Sequence, residues 1–319
     1  TVVFDTFGLV AEGTANVVPA AYAVALVVMI FTAISYGKMV GAIPSAGSAY
    51  TYSRESIHPN VGFVVGWTAL IDYMLLPMVN ALILRSYLEA LFPAIPGWIW
   101  VVVFTALVTG VIALTMRGTS NVNMILLVFS IVVMTVFVVM VVAQLAGGAG
   151  AGTVVSIAPF GHDGVAFSAV LAGATIVCFS FIGFDAVPMY AEEARTPRIM
   201  PRAIVLTVVA GGAIFLVASY VTQLRFPDSS VFPQAAIEDS TLPEIGVQVG
   251  GPVLQSVLPA AGFAATLASW LASHASVSRM LLVMGRNGVL PRRLFGFIHP
   301  RTRTPILAVV VTGLVSLFA

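Results

Sequence analysis

Seven stretches of this chain are long and apolar enough to cross a lipid bilayer, and that limits the fold before anything else does. They fall at about 19–41, 61–84, 97–116, 122–145, 166–191, 203–224 and 257–284. Each approaches or exceeds the roughly 20 residues that span the hydrocarbon core. Lipid offers no partner to an open backbone amide or carbonyl, so such runs must close their hydrogen bonds internally, as helices. Composition removes the soluble alternative. Only 8% of residues are charged and 59% are hydrophobic, against roughly 25% charge in a soluble domain. A lone cysteine, Cys178, excludes a disulfide scaffold and reads as a small apolar filler. A net charge of +1 without a dense basic run argues against a nucleic-acid partner. None of the runs has the form of a signal peptide. The expected class is an all-α polytopic membrane protein.

Charge fixes the orientation. Lys38, Arg54, Arg117, Arg195, Arg198, Arg202, Arg279, Arg286, Arg292, Arg293, Arg301 and Arg303 lie at one set of alternating helix ends. Only Arg85 and Arg225 lie at the other. Lys and Arg stay on the cytoplasmic side, so the first set marks the inside. Glu12, Glu89, Asp163, Asp228, Glu238, Asp239 and Glu244 then face outward. Such a face would concentrate a cationic solute, although positive-inside sorting alone would also leave acids there. The first residues, about 1–12, and the last, 305–319, are apolar but too short to span. The chain reads as a fragment of one transporter domain, with partial spans at both ends.

Three acids remain inside apolar runs: Asp5, Asp72 and Asp185. A charge at mid-membrane costs roughly 2.5–3.5 kcal/mol on insertion scales. Each acid must therefore be protonated, face a polar cavity or bind something positive. Asp185 sits in FSFIGFDAVPMY, residues 179–190. Gly183 weakens the helix there, and Pro188 removes the amide that would bond the Phe184 carbonyl. Broken spans of this kind build the substrate sites of secondary transporters. A plain proline kink with a neutral aspartic acid would use the same residues. Asp72 and Tyr73 lie in GWTALIDYMLLPMVNALI, residues 66–83, with Tyr73 and Asn80 seven apart on one helix face. That face is expected to offer a carboxylate, a phenol and an amide, or else simply to bond a neighbouring span. Asp5 follows Phe4 as Asp185 follows Phe184. The echo is what an inverted repeat would leave, and an outer vestibule would suit Asp5 equally. His274 reads as a hydrogen-bonded packing residue or a proton relay. No spacing suggests a metal site, and no nucleophile, phosphate-loop or zinc-protease motif is present.

The segments PSAGSAYTYSRESIHPNVGFVVGW (44–67), FSFIGFDAV (179–187) and SRMLLVMGRNGVLPRRLFGFIHPRTRTP (278–305) resemble signature regions of the amino acid–polyamine–organocation permeases. VFDTFG, FTAISYGK, GATIVCFSFIGFDAV and LASHASVSR are similar to stretches of the putrescine-importing members of that family. The likeness runs in order along nearly the whole chain. It implies a LeuT-like fold with spans 1–5 and 6–10 related as inverted repeats, entered here at the break of span 1 and left within span 9. It implies proton-driven diamine uptake across a bacterial cytoplasmic membrane, with no cofactor and no enzymatic step. Thr1 and Val2 then fall beside the span 1 break. Asp72, Tyr73 and Asn80 fall on span 3 positions that line the pocket. Phe179 falls where arginine/agmatine exchangers carry a gating aromatic, Asp185 where polyamine exchangers carry a glutamate, and Ser273 on span 8. With Gly183 these form the expected substrate site, and Asp185, Asp72 and Asp5 are the candidates for proton coupling. In the family's count span 5 is the run 122–145, which carries no Lys or Arg, so the lysine that couples protons in some relatives has no counterpart. An amino acid permease of the same family, or a membrane polyamine sensor that does not transport, would use the same broken helix and buried acids.

Overall fold

The computed structural model describes residues 2–92, 94–114, 116–193, 199–238, 240–300, 302 and 304–318. Thr1, Arg195, Arg198, Asp239, Arg301 and Arg303, all used above, lie outside the described residues. The described chain is helical with no strand. Two short helices, α1 (Val2–Asp5) and α2 (Phe7–Gly13), come first. They are followed by α3 (Val18–Ala42), α4 (Ser48–Ser56), α5 (Pro59–Leu91), α6 (Gly97–Leu114) and α7 (Met116–Ala146). Next come α8 (Phe167–Val177), α9 (Met200–Arg225), α10 (Gln234–Glu238), α11 (Leu242–Arg286), α12 (Arg292–Phe295) and α13 (Ile306–Ser316).

Among the described residues, seven helical stretches are long and apolar enough to cross a membrane, and each overlaps one of the seven runs. Their outward faces are as apolar as their inward ones: Val28, Phe31, Ile125, Val139 and Leu206 are all exposed. A helix hydrophobic all round needs either protein or lipid on every side. The largest boundary difference is in α11, which starts at Leu242 rather than 257. Gly250 and Gly251 carry non-helical dihedrals, and Pro252 follows them. A short outer helix is thus joined to the span by a kink, and polar residues in that outer stretch keep its hydropathy low.

The chain divides into two units, 1–35 with 129–184 and 204–262, and 36–128 with 185–203 and 263–319. In the first, Phe4 packs on Phe137 at 4.5 Å between ring centroids, and Phe181 meets Phe215 edge-on at 5.4 Å. Asn16 turns the chain after α2 with φ 65°, and its Oδ1 accepts the Ser229 amide at 2.9 Å. In the second unit, one face of α5 is buried at Gly66, Leu70, Tyr73, Pro77, Asn80, Ala81, Leu84 and Leu88, the three-four spacing of a helix. Its outer half packs with α6, α11 and α13 through Val101, Val108, Trp270, Leu271 and Val309. Its inner half joins Tyr50, Met189, Met280 and Met284. Gly66 is required there, because a Cβ would come within 2.5 Å of the Tyr50 ring.

The two basic residues that the charge pattern assigns to the outer helix ends both have polar partners, one charged and one neutral. Arg85 pairs with Glu89 at 3.1 Å, one helical turn on. Arg225 donates to Gln144 Oε1 at 2.9 Å.

Candidate functional site

The fifth apolar span, Phe167–Glu192, does not stay α-helical. After α8 the chain tightens into a 3-10 turn over Cys178–Phe181. Ile182 is extended (φ −55°, ψ 137°) and Gly183 has φ +101°, a region that L side chains rarely enter. A second 3-10 segment runs from Phe184 to Glu193. Such segments seldom exceed three or four residues, so this one needs outside support. Pro188 explains part of the need. In an i to i−3 pattern, residue 188 should donate to the carbonyl of residue 185, and proline has no N–H. That acceptor is filled from elsewhere: the Ser48 hydroxyl donates to the Asp185 carbonyl at 3.0 Å. Ser48 opens α4 and is itself held at φ 47°, a costly value for a residue with a Cβ.

The Asp185 side chain is half-buried. From α5, the Tyr73 phenol lies within electrostatic range of it, and also of neighbouring Asp72. From the inner end of α3, the Tyr36 phenol is within range of Asp185 as well. Tyr52 of α4 stands edge-on to Tyr36, with centroids 6.1 Å apart and rings at 76°. The Tyr73 and Tyr52 rings are 3% and 6% exposed; the Tyr73 hydroxyl is within hydrogen-bonding reach of Asp185, while the Tyr52 hydroxyl is buried with no partner among the described residues. A buried, unpaired hydroxyl costs roughly 1–3 kcal/mol.

The other expected site residues divide by unit. Asn80 shares the buried face of Tyr73, but its amide donates to the Leu76 carbonyl of its own helix at 2.8 Å. Asp72 does not share that face. It is exposed, because successive residues turn by about 100° around a helix. The expectation of carboxylate, phenol and amide on one face is therefore corrected: only phenol and amide are. Ser273 is buried and donates to Trp270 O at 3.2 Å, and His274 bonds Val309 O through Nε2 at 2.9 Å. Both are engaged in helix packing.

Phe179, Gly183, Val2 and Asp5 belong to the first unit. Phe179 is 53% exposed, beside Ser180, whose hydroxyl bonds Tyr22 Oη at 3.1 Å. Val2 opens α1 at 36% exposure. Asp5 accepts the Ser240 hydroxyl at 2.8 Å, and its carbonyl accepts the Thr241 amide at 3.3 Å. It therefore ties α1 to the start of α11. Ser48, Tyr36 and Tyr52 were not singled out by sequence reasoning. The signal was present in FTAISYGK and AGSAYTY, where tyrosines stand at the inner edge of an apolar run.

Below the break, the inner end of the span is clamped. Glu192 accepts the Ala46 amide at 3.3 Å and pairs with Arg286 at 3.5 Å. Buried Arg279 lies 4.1 Å from the Tyr190 ring centroid. Tyr50 Oη accepts from Arg54 at 3.0 Å and from Asn287 at 3.2 Å. These contacts join α4, the 3-10 segment and the end of α11. A half-exposed ion pair contributes roughly 0–1 kcal/mol, and a desolvated cation–π contact about 2 kcal/mol. The Arg279 contact therefore contributes more than the Arg286–Glu192 pair. The arrangement combines a carboxylate at a helix break, phenols around it and a closed inner end. It can hold a cation, and it offers no nucleophile-base pair.

The amino acid permease family profile matches residues 3–319. The low-affinity putrescine importer PlaP of Escherichia coli K12 is 44% identical over 317 residues, covering 99% of this chain and 70% of that protein. The vacuolar cationic amino acid transporter 4 of Arabidopsis thaliana is 29% identical over 98% of this chain and 54% of its own length. The branched-chain amino acid permease BcaP of Bacillus subtilis is 24% identical over 92% of this chain and 65% of its own length. Broken span, apolar helices and sequence agree, and the chain belongs to the amino acid permease family of multi-pass membrane transporters.

Proposed function

We infer that this chain imports putrescine or a similar short diamine across a bacterial cytoplasmic membrane, by alternating access within a single transporter domain of inverted-repeat design. The observation that carries the reading is the Asp185 carboxylate at the break of its span, with the Tyr73 and Tyr36 phenols within range. A primary ammonium pairs with that carboxylate and lies against aromatic faces, an attraction of about 0.5–2 kcal/mol per ring. Asp72 takes the second ammonium, with the Tyr73 phenol electrostatically coupled to both acids. A dication of matching length satisfies two carboxylates, whereas an amino acid brings its own carboxylate against a like charge. The 44% identity to a putrescine importer supports the same substrate class.

Proton coupling fits a site of this kind. A proton and an ammonium compete for the same carboxylate oxygens, and Asp185, Asp72 and Asp5 are the acids offered for that exchange. The inner face carries Lys38, Arg54 and Arg202, in keeping with entry from the opposite side.

Competition tests the reading. Labelled putrescine should enter cells that carry the intact transporter, and unlabelled putrescine should displace it. Lysine and neutral amino acids at a hundredfold excess should not. Equal displacement by lysine or leucine would assign the chain to amino acid transport instead, as in the relatives named for those substrates. Saturable binding without accumulation in proteoliposomes would make it a sensor.

A further inference from the structure

Tyr36 lies within range of Asp185, and its neighbour Tyr52 has no role in the site as described. Tyr36 is on the inner end of α3, two residues before Lys38. Tyr52 is on α4 and is buried apart from 6% of its surface. Their rings meet edge to face at 6.1 Å. The Tyr36 phenol interacts with Asp185 on one side and with Tyr52 on the other. The three groups therefore form a line of neighbours only in the sense that Tyr36 adjoins both Asp185 and Tyr52.

The Tyr52 hydroxyl is unusual along this line, since it is buried and has no hydrogen-bond partner among the described residues. A phenol oxygen has lone pairs to offer an N–H donor. The nearby cations do not use them. Lys38 is exposed, and Arg54, two residues along α4, donates to Tyr50 instead. Tyr52 is held in place from both sides of its own helix. Ser48 anchors the start of α4 to the Asp185 carbonyl, and Tyr50 is fixed by Arg54 and Asn287. The loop helix thus holds a buried phenol oxygen without a partner against the ring of Tyr36, which in turn lies within range of the carboxylate, and aromatic rings beside a carboxylate are how a protein surrounds an alkylammonium.

We propose that Tyr36 and Tyr52 are substrate-binding residues, the inner wall of the Asp185 seat, which accept N–H bonds from a primary ammonium group and cover it with their rings. The inference rests on the reading that Asp185 receives an ammonium. It adds that the seat reaches down to the loop helix α4, so that binding is felt by a segment 137 residues away in sequence from Asp185. It also separates the two ends of a diamine: these tyrosines serve the Asp185 end only, and Asp72 serves the other.

The experiment measures affinities of the intact transporter for putrescine and for n-butylamine, which has a single ammonium. Affinity is read by competition against labelled putrescine and by ligand-induced stabilisation against thermal unfolding in detergent. Tyr52→Phe and Tyr36→Phe should each weaken both amines by the same factor, on the order of ten- to a hundredfold for a lost hydrogen bond to a charged group. Maximal velocity per transporter copy should stay within about twofold, because the rings remain. Tyr36→Leu, which also removes the ring, should cost more than Tyr36→Phe. Unchanged affinity for both amines in both phenylalanine variants would overturn the assignment. So would a fall in velocity at unchanged affinity, which would make the tyrosines part of the scaffold. Asp185→Asn separates the two levels. If it keeps wild-type affinity, the reading of Asp185 itself fails. If it loses affinity while the tyrosine variants keep theirs, only the inner wall is removed.

Discussion

Two spans in this protein contain a proline after an Asp-aromatic neighbourhood, and they respond differently. In α5, Asp72-Tyr73 precede Pro77, and the helix runs on unbroken from Pro59 to Leu91. In the later span, Phe184-Asp185 precede Pro188, and regular geometry is lost between Ile182 and the 3-10 segment. A proline takes away one donor and crowds one carbonyl, which α5 absorbs within a long helix packed along one face. The second span adds Gly183 at φ +101°, and a single backbone turn of that kind cannot belong to a helix. The break therefore comes from glycine and proline together, and the proline alone makes at most a bend. The acids follow the same division. Asp72 sits on a regular helix and is turned off the buried face. Asp185 sits at the break, half-buried, with its carbonyl capped by Ser48.

Gly183→Ala should break this comparison most strongly. A Cβ at positive φ costs on the order of 1–2 kcal/mol, and nothing lies within 4 Å of the position to clash with it, so the penalty is conformational. Putrescine uptake per transporter copy should fall roughly fivefold to thirtyfold, measured as initial rate at normal membrane abundance. Wild-type transport would mean that the turn at Gly183 is not needed for function. Ser48→Ala sharpens the point at a smaller scale. It leaves the Asp185 carbonyl without its donor, at a cost of roughly 1 kcal/mol, and relieves no strain at φ 47° because alanine is no better there. A fivefold loss in uptake is expected, read together with a lower unfolding temperature in detergent. No change in either would remove Ser48 as the support of the 3-10 segment. Pro77→Ala should be the mildest. It returns an amide to a helix that is already continuous, so uptake should change by less than about threefold and thermal stability should hold or rise. A large loss would show that the bend in α5 is itself part of the transport cycle.

Much of this was visible before any coordinates. The seven spans follow from hydropathy, because a bilayer tests length and composition rather than packing. Their ends moved by a few residues, except in α11, where Gly250-Gly251-Pro252 joins an outer helix with low hydropathy to the span. The weak point at Gly183 and Pro188 was visible because both residues act through their own backbone. The face shared by Tyr73 and Asn80 follows from helical period, and the same period excludes Asp72 from it. Asn80 and Ser273 were expected in the site, and each makes a hydrogen bond within its own helix. Periodicity reports a direction and is silent about what a side chain finds there.

The amino-acid sequence by itself determined that this chain lies in a membrane, which ends of its helices carry the positive charge, where one span must break and which family it belongs to. Those properties depend on residues close together in the chain, or on composition summed over a run. The tertiary structure alone decided what surrounds Asp185. Tyr36, Ser48, Tyr52 and Tyr73 come from three helices that precede it by more than a hundred residues. Contacts of that range are chosen by packing, which fixes distance and angle between side chains, and no local pattern of residues carries that information.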